Sequence, residues 1–225
     1  MSKFNWDQIY KKRKQDNIWP WSEVVSLTQK YANLDLINKK YKVLELGCGT
    51  GPNILYFLKL NMSYYGVDQS QEAIQISKKR FPKLRKRLKI SDFTKKIPFQ
   101  EKFDLIIDRS SLTHNDEASI QNGLNLIFSK LKKKGIFIGI DWHSVNHSDY
   151  KTNNQNLFTI DKFTKTNFKI GQFQGAGVVH FSNYKQIKKY FKKWQTIFLE
   201  EKIKYQKLPK KNFAIAAWNF VVKKK

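Results

Sequence analysis

Residues 43–53 read Val-Leu-Glu-Leu-Gly-Cys-Gly-Thr-Gly-Pro-Asn, and this stretch decides the fold. A short apolar run leads into glycines at alternate positions, Gly47, Gly49 and Gly51. The run predicts a buried strand, and the glycines predict a sharp turn where a ligand approaches the backbone. Helical spacing then begins, with these apolar residues expected on one side: Ile54, Leu55, Phe57 and Leu58. A strand, a glycine turn and a helix start are typical of the nucleotide-binding edge of an open α/β sheet.

The glycine spacing differs from the dinucleotide-binding pattern Gly-x-Gly-x-x-Gly, because Gly51 follows Gly49 after a single residue. The stretch resembles the first motif of class I S-adenosylmethionine-dependent methyltransferases, in which an acidic residue precedes Gly-x-Gly-x-Gly. The resemblance implies S-adenosylmethionine as the cofactor. It also implies cofactor contacts from these residues of the stretch: Glu45, Gly47, Cys48, Gly49, Gly51 and Asn53.

A second short strand, Tyr64–Asp68, ends in a carboxylate 23 residues beyond Glu45. An acid at that point accepts both ribose hydroxyls of a nucleoside lying across a glycine turn. Asp68 therefore looks like the family's ribose-binding acid, and Gln69 matches the residue that flanks the adenine. The alternative is that Asp68 only caps a helix that starts near Ser70, as Asp commonly does.

A third strand is predicted from Leu88, followed by an acid and an aromatic residue, Asp92 and Phe93. In the family that the sequence resembles, this place supplies a carboxylate to the adenine amino group and a backbone N–H to the ring. Asp92 and Phe93 match those two roles, although Asp is also an ordinary turn residue.

The fourth predicted strand, 103–109, is apolar enough to be buried on both faces of a parallel sheet. The resemblance places the stretch after it, 108–114, around the methionine part of the cofactor and the acceptor. Asp108 and Arg109 are accordingly expected to contact the cofactor. A helix end, a turn and a fifth strand follow at 131–141.

The expected fold is α/β: a Rossmann-like class I methyltransferase sheet flanked by helices, with an antiparallel C-terminal hairpin and an N-terminal helical lid. One methyltransferase domain is predicted over 1–225. Its parts are an aromatic cap at 1–40, a cofactor-binding core at 41–141, an irregular acceptor-site region at 142–182, and a terminal helix and hairpin at 183–225. In the last part we predict a helix from about Tyr184 to Trp194 and strands near 195–204 and 212–222.

The chain has 225 residues, 40% of them hydrophobic and 15% aromatic, as expected of one folded domain. No apolar run approaches the roughly 20 residues of a membrane span, and the N-terminus lacks the apolar core of a signal peptide. The single cysteine, Cys48, has no partner for an intrachain disulfide. A reducing, cytoplasmic location is therefore expected, whereas the oligomeric state stays open.

The charge has three interpretations. There are 43 basic and 18 acidic residues, which gives a net charge of +25, the usual sign of a nucleic-acid binder. Only five of the basic residues are arginines, and lysine is abundant together with Asn, Ile, Phe and Tyr. A biased genome produces this composition without selection for a partner, and we favour that explanation. A polyanionic partner such as RNA and a small anionic substrate remain the alternatives.

The segment Ile-Trp-Pro-Trp-Ser-Glu at 18–23 is the sharpest feature outside the core. Ser22 is expected to cap a helix that runs to Tyr31. In one interpretation Trp19 and Trp21 form a lid that contacts the cofactor sulfonium by cation–π attraction. In the other, the two tryptophans only fix this helix to the sheet.

The candidate catalytic residues follow from the chemistry of methyl transfer. The sulfonium already activates the methyl group, so the protein mainly aligns acceptor, carbon and sulfur, but a hydroxyl acceptor also needs a base. His114 follows the fourth strand and His143 the fifth, at the sheet edge where ligands bind. Either is a candidate base, with Asp141 as orienter or as base itself. A metal at Asp141, Trp142, His143 and His147 would need further acids, so no metal is predicted.

Two acceptor classes are disfavoured. Methyltransferases that act on the amino groups of adenine or glutamine carry Asn/Asp-Pro-Pro-Tyr/Phe after the fourth strand, where this chain has Asp-Arg-Ser-Ser at 108–111. Cytosine C5 enzymes need a nucleophilic cysteine, and Cys48 belongs to the glycine turn.

The stretch 108–114, the Trp-Pro-Trp segment and Asp-Trp-His at 141–143 instead resemble small-molecule methyltransferases associated with bacterial surface-polysaccharide synthesis. This resemblance implies O-methylation of a sugar or similar small polar precursor, anionic or nucleotide-linked. One alternative is an RNA methyltransferase that uses the basic surface, which is not favoured. The other is a non-catalytic cofactor-binding protein, against which the intact Glu45 and Asp68 argue.

Overall fold

A computed structural model describes residues 6–12, 17–32, 40–151, 157–210 and 212–225. Its strands are β1 (Lys42–Leu46), β2 (Ser63–Asp68), β3 (Leu88–Ile90), β4 (Phe103–Arg109), β5 (Leu131–His143), β6 (Phe158–Asp161), β7 (Thr164–Thr166), β8 (Val179–His180), β9 (Trp194–Tyr205) and β10 (Ala214–Lys224). Its α-helices are α1 (Trp6–Lys11), α2 (Ser22–Tyr31), α3 (Ile54–Lys59), α4 (Gln71–Arg80), α5 (Glu117–Lys130), α6 (Ser148–Lys151) and α7 (Tyr184–Tyr190). Pro82–Arg87 and Leu112–His114 form 3-10 helices.

A seven-stranded sheet forms the centre of the molecule, in the order β3-β2-β1-β4-β5-β10-β9. The first five strands in this order are parallel, and β10 and β9 are antiparallel to their neighbours. The order reverses beside β1, so the carboxyl ends of β1 and β4 border a crevice that ligands commonly use. The predicted α/β sheet and its antiparallel C-terminal hairpin are confirmed.

Helices cover both faces of the sheet, because its parallel strands are apolar on both sides. Neighbouring residues of β1 point to opposite faces. Val43 packs in a cluster with Phe57 of α3, whereas Leu44 packs in a second cluster with Ile127 of α5. All four of these side chains are fully buried. The sequence thus specifies a three-layer arrangement through the alternation within β1.

One prediction for the helix after the glycine turn is wrong. Ile54 and Phe57 are buried, but Leu55 is 52% exposed and Leu58 is 37% exposed. Helix α3 has only six residues, so a single pair of positions three apart faces the sheet. The two leucines lie on the outer side of this short helix.

The sequence analysis predicted an irregular region at 142–182, but part of this region has regular secondary structure. It contains α6 and a three-stranded antiparallel sheet, β6-β7-β8. A separate hydrophobic cluster supports this sheet, formed by Phe168, Phe173, Val179 and Phe181. The strands are two to four residues long and largely polar, which is why no period of two was visible.

Two helix ends also differ from the prediction. Helix α7 stops at Tyr190 rather than Trp194, because Trp194 already begins the long strand β9. Ser22 is the first residue of α2 and not its cap; its hydroxyl donates to the Glu23 carboxylate. The hairpin strands β9 and β10 agree with the predicted ranges within two residues.

The N-terminal segment contains a helix that was not predicted, α1, besides the expected α2. Helix α1 packs on α4, where Asp7 accepts hydrogen bonds from the Ser70 hydroxyl and, at 3.1 Å, from the Glu72 N–H. Part of the predicted cap at 1–40 lies outside the described residues. None of the helices in the described ranges is long and apolar enough to cross a bilayer.

Candidate active site

A cavity of about 700 Å³ lies along the carboxyl edge of the central sheet. Its volume is within the range of about 300–1,000 Å³ that is usual for small-molecule and cofactor sites. It passes the ends of β2, β1, β4 and β5, which are neighbours in the sheet. The predicted site residues that line it are Trp21, Glu45, Gly47, Cys48, Gly49, Asn53, Asp68, Gln69, Phe93, Arg109, His114, Asp141 and His143.

Four predicted site residues do not line the cavity. Trp19 is 72% exposed, and Gly51 lies under the turn with a φ of +84°. Asp92 accepts from the Thr94 N–H at 3.1 Å and from the Gln69 amide at 3.4 Å, just behind the wall. Asp108 is fully buried below the floor.

The glycine turn has no room for side chains. Gly47 and Gly49 have φ values of +64° and +53°, the left-handed region that favours glycine. A Cβ on Gly47 would lie 1.9 Å from the Ser111 hydroxyl, and one on Gly49 would lie 2.8 Å from the Tyr10 hydroxyl. Gly47 and Gly49 therefore contribute backbone atoms alone to the cavity lining.

Asp68 fixes the glycine turn to the end of β2. Its carboxylate accepts from the Gly49 N–H at 2.9 Å and from the Ser70 N–H at 2.8 Å. The residue that caps α4 is Ser70, whose hydroxyl accepts from the Ala73 N–H at 3.1 Å, so the capping alternative for Asp68 is not realised. Burial raises the pKa of Asp68 to about 6.

Glu45 and Asn53 connect the first motif to the N-terminal segment. The Asn53 amide donates to Glu45 at 2.7 Å, and the Tyr64 hydroxyl donates to the other carboxylate oxygen. Burial raises the pKa of Glu45 to about 7. The amide oxygen of Asn53 accepts from the Trp21 N–H at 3.0 Å, which fixes the start of α2 over the glycine turn.

The ends of β4 and β5 are joined by an ion pair. Nη2 of Arg109 lies 2.9 Å from Oδ2 of Asp141, and Nζ of Lys202 lies 3.8 Å from its Oδ1. The Arg109 guanidinium also lies over the Trp21 ring, 3.6 Å from its centroid. Among the described residues, the hydrogen-bonding partners of Asp141 do not include His143. The carboxylate is therefore engaged with cations rather than orienting the imidazole.

His143 and His114 lie at the β4–β5 end of the cavity. Their ring centroids are 5.7 Å apart, and the Phe173 ring is 4.5 Å from that of His143. Nε2 of His143 lies 3.1 Å from the Ser110 hydroxyl. Burial lowers the pKa of His143 well below its ordinary value and lowers that of His114 to about 4. Both rings are thus neutral at pH 7, and a neutral imidazole can accept a proton.

Helix α1 adds residues that the sequence analysis did not assign. Trp6 and Tyr10 both line the cavity, and the Trp6 ring lies 5.1 Å from that of His114. Their spacing of four residues was a usable signal, because such residues share one face of a helix. Other lining residues that were not named individually include Ser110, Ser111, Asn115, Gln172, Phe173, Gln174, Ala176, Val178 and Lys204. All of these except Asn115 and Lys204 belong to the stretches 108–114 and 142–182, which were predicted to lie near the acceptor.

Asp108 is fully buried but does not line the cavity. Its carboxylate accepts from the Trp142 indole at 2.7 Å and from the backbone of Ser111 and Leu112 at 3.2 and 3.1 Å. Burial raises its pKa to about 7. Asp108 therefore holds the loop after β4 in place from below.

No group of three or more metal-binding side chains with suitable geometry occurs among the residues that the structure describes.

Comparison with known proteins identifies the class. The methyltransferase domain family matches residues 37–207, and the chain belongs to this family. A comparison with curated proteins found no match. The protein is a methyltransferase with S-adenosylmethionine as its methyl donor.

Solved structures of other proteins share the fold. A SAM-dependent methyltransferase from Methanosarcina mazei matches with a TM-score of 0.66 and 16% identity over 86% of this chain and 97% of its own. An S-adenosylmethionine-dependent methyltransferase from Clostridium acetobutylicum matches with a TM-score of 0.64 and 22% identity over 97% of both chains. TehB from Haemophilus influenzae matches with a TM-score of 0.62 and 15% identity over 97% of this chain and 67% of its own.

The residues of the cavity fit this cofactor. Gly47 and Gly49 line the cavity, and a nucleoside commonly lies against such a glycine turn. S-adenosylmethionine carries an ammonium and a sulfonium group, and nearby positive charge favours ionised carboxylates. Glu45 and Asp68, whose pKa values are raised by burial, are suited to such a cationic ligand.

Proposed function

We propose that this methyltransferase transfers the methyl group to a hydroxyl oxygen of a small polar acceptor. The class that we put forward is a sugar or nucleotide-activated precursor of a surface polysaccharide, methylated in the cytoplasm. The observation that carries the proposal is the neutral, buried imidazole of His143 in the cavity wall. A hydroxyl needs such a base, since its proton must leave as the new bond forms.

The proposed position of the cofactor follows the carboxyl edge of the sheet. Its ribose lies against Asp68 and the turn at Gly49, and its adenine lies beside Gln69 and Phe93. Its methionine part extends toward Arg109 at the end of β4. In this orientation the sulfonium methyl would point to the β4–β5 end of the cavity, where the histidines lie. The protein aligns the acceptor oxygen with the methyl carbon and sulfur, and it excludes water.

Among the three candidate bases, His143 is favoured. The Asp141 carboxylate is held by Arg109 at 2.9 Å, so this ion pair already engages it. His114 is neutral as well, and it also lines the cavity. His143 already shares a hydrogen bond with a hydroxyl group of the chain, that of Ser110 at 3.1 Å.

The wall near His143 favours a small, hydroxyl-rich acceptor. Aromatic and amide side chains alternate there, with Phe173 between Gln172 and Gln174 in the cavity lining. Such a combination gives apolar contact to a ring and hydrogen bonds to its substituents. Lys204, which also lines the cavity, adds a positive charge for an anionic or nucleotide-linked acceptor. The +25 net charge keeps RNA as the runner-up acceptor.

A methyl-transfer screen tests the proposal. The protein is incubated with methyl-labelled S-adenosylmethionine and either nucleotide sugars, free sugars or total RNA. Label is expected in a nucleotide sugar or sugar, as an O-methyl ether by NMR. His143→Ala should then lower turnover by roughly 10²–10⁴ while cofactor affinity stays unchanged. Label in RNA alone, or full turnover by His143→Ala, would contradict the proposal.

A further inference from the structure

Two non-glycine residues with left-handed backbone end the neighbouring strands β4 and β5 at the cavity. Ser110, directly after β4, has a φ of +57°, and Asp141, within the end of β5, has a φ of +55°. The Ser110 N–H donates to the Ile140 carbonyl at 2.9 Å, which holds the two strand ends together. Non-glycine residues rarely adopt this conformation, and it concentrates at functional sites. Glycine would adopt this backbone at position 110 without strain. The presence of a serine there therefore suggests that its hydroxyl group has a function.

The Ser110 hydroxyl is available to donate a proton to His143. It lies 3.1 Å from Nε2 of His143 and 3.4 Å from the Thr113 hydroxyl. The Thr113 hydroxyl donates to the Ser110 carbonyl at 2.9 Å, so its own proton is already used. His143 is neutral, and with its proton on Nδ1 its Nε2 accepts from Ser110. The hydroxyl oxygen of Ser110 keeps a lone pair for a ligand in the cavity that Ser110 lines.

We propose that Ser110 is a catalytic proton relay between the acceptor hydroxyl and His143. As the acceptor oxygen bonds to the methyl carbon and the carbon–sulfur bond breaks, the acceptor proton moves to Oγ of Ser110. The Ser110 proton moves at the same time to Nε2 of His143. The products are a methyl ether, S-adenosylhomocysteine and a protonated His143, which later loses its proton to solvent. The relay rests on the proposed function, because it needs a hydroxyl acceptor and His143 as base.

The decisive variant is Ser110→Gly, which removes the hydroxyl and relieves the left-handed strain. The matched control is Asn61→Gly: Asn61 is also left-handed, with a φ of +58°, and it is exposed and outside the cavity lining. Both variants are expected to melt at or above the wild-type temperature, because glycine tolerates this backbone. Asn61→Gly should keep wild-type turnover. Ser110→Gly should lose roughly 10–100-fold in kcat with unchanged S-adenosylmethionine affinity.

Two further readouts separate a relay from a structural role. Uridine diphosphate hexoses serve as the acceptor probe, and turnover is followed in mixtures of H₂O and D₂O. Wild-type protein should show a curved dependence on deuterium content, as two protons move together, and Ser110→Gly a linear one. The ¹⁵N NMR shift of His143 Nε2 in the protein without substrate should also change in Ser110→Gly.

The outcomes distinguish this proposal from the proposed function. Wild-type kcat in Ser110→Gly, or an unchanged Nε2 shift, overturns the relay. A parallel loss of melting temperature and cofactor affinity in Ser110→Gly also overturns it, because the hydroxyl would then be structural. Full activity of His143→Gln contradicts the choice of base itself, whereas an inactive His143→Gln beside an active Ser110→Gly contradicts the relay alone.

Discussion

The Arg109 guanidinium lies over the ring of Trp21, 3.6 Å from its centroid. This contact joins the end of β4 to the residue that precedes α2. The same guanidinium pairs with Asp141 at the end of β5. The N-terminal segment is thus bound to the two strand ends where methyl transfer is proposed to take place.

The first prediction separates the two tryptophans of the N-terminal segment. Trp21→Ala should raise the Michaelis constant for S-adenosylmethionine about 5–30-fold, since it removes a cation–π contact of about 1–2 kcal/mol from Arg109. Trp19→Ala is the matched control, because that side chain is 72% exposed and outside the cavity lining. Steady-state kinetics of both variants is the measurement. Equal effects of the two substitutions would contradict the proposed placement.

The cofactor edge of the fold was predictable from the sequence because short, local patterns encode it. Strands β1, β2 and β4, which end at Leu46, Asp68 and Arg109, are adjacent in the sheet, so each motif could be assigned to the same edge before its contacts were known. Thirteen predicted site residues line one cavity for this reason. Trp19 is one of the four predicted site residues that do not line the cavity, because nothing local to Trp19 and Trp21 shows which of them faces inward.

The acceptor end was harder to predict because it depends on long-range packing. Phe173 reaches the cavity from an insertion whose small sheet has strands too short for a period to be visible. Lys204 comes from β9, far along the chain from His143. The left-handed backbone of Ser110 could not be predicted from the sequence, because this conformation is usually adopted by Gly, Asn or Asp rather than by serine.

The second prediction concerns pH. An ordinary histidine has a pKa of about 6.5. Burial lowers the pKa of His143, so the base stays neutral at pH values where an exposed histidine is half protonated. At saturating cofactor, the acidic loss of kcat follows the protonation of His143, and kcat should therefore hold its plateau through pH 6. The measurement is kcat at saturating S-adenosylmethionine from pH 4.5 to 9. An acidic limb centred at 6.5 would contradict the assignment of a buried base.

The third prediction uses salt to separate the acceptor classes. If RNA bound to the lysine-rich surface, each phosphate that a lysine neutralises would release a counterion. RNA binding would therefore weaken by orders of magnitude between about 50 and 200 mM salt. A nucleotide-linked sugar presents only a few charges within one cavity. Its Michaelis constant should rise modestly over this range while kcat holds. We expect weak RNA binding that salt abolishes and no methyl transfer to RNA; saturable, salt-resistant RNA methylation would favour the runner-up.

Calorimetric titration with S-adenosylmethionine tests the central claim most directly, namely that this cavity binds the methyl donor against the glycine turn. Wild-type protein should bind at low to tens of micromolar, roughly 6–8 kcal/mol. Gly49→Val adds a side chain to the turn, where its Cβ would lie 2.8 Å from the hydroxyl of Tyr10, another cavity-lining residue. Asp68→Ala removes the proposed ribose acceptor. The matched control is Gly175→Val, at a φ of +72° where an added Cβ meets nothing within 4 Å. Gly49→Val and Asp68→Ala should lose at least tenfold in affinity, whereas Gly175→Val should keep it. Unchanged affinity in both site variants would contradict binding of the methyl donor at this turn.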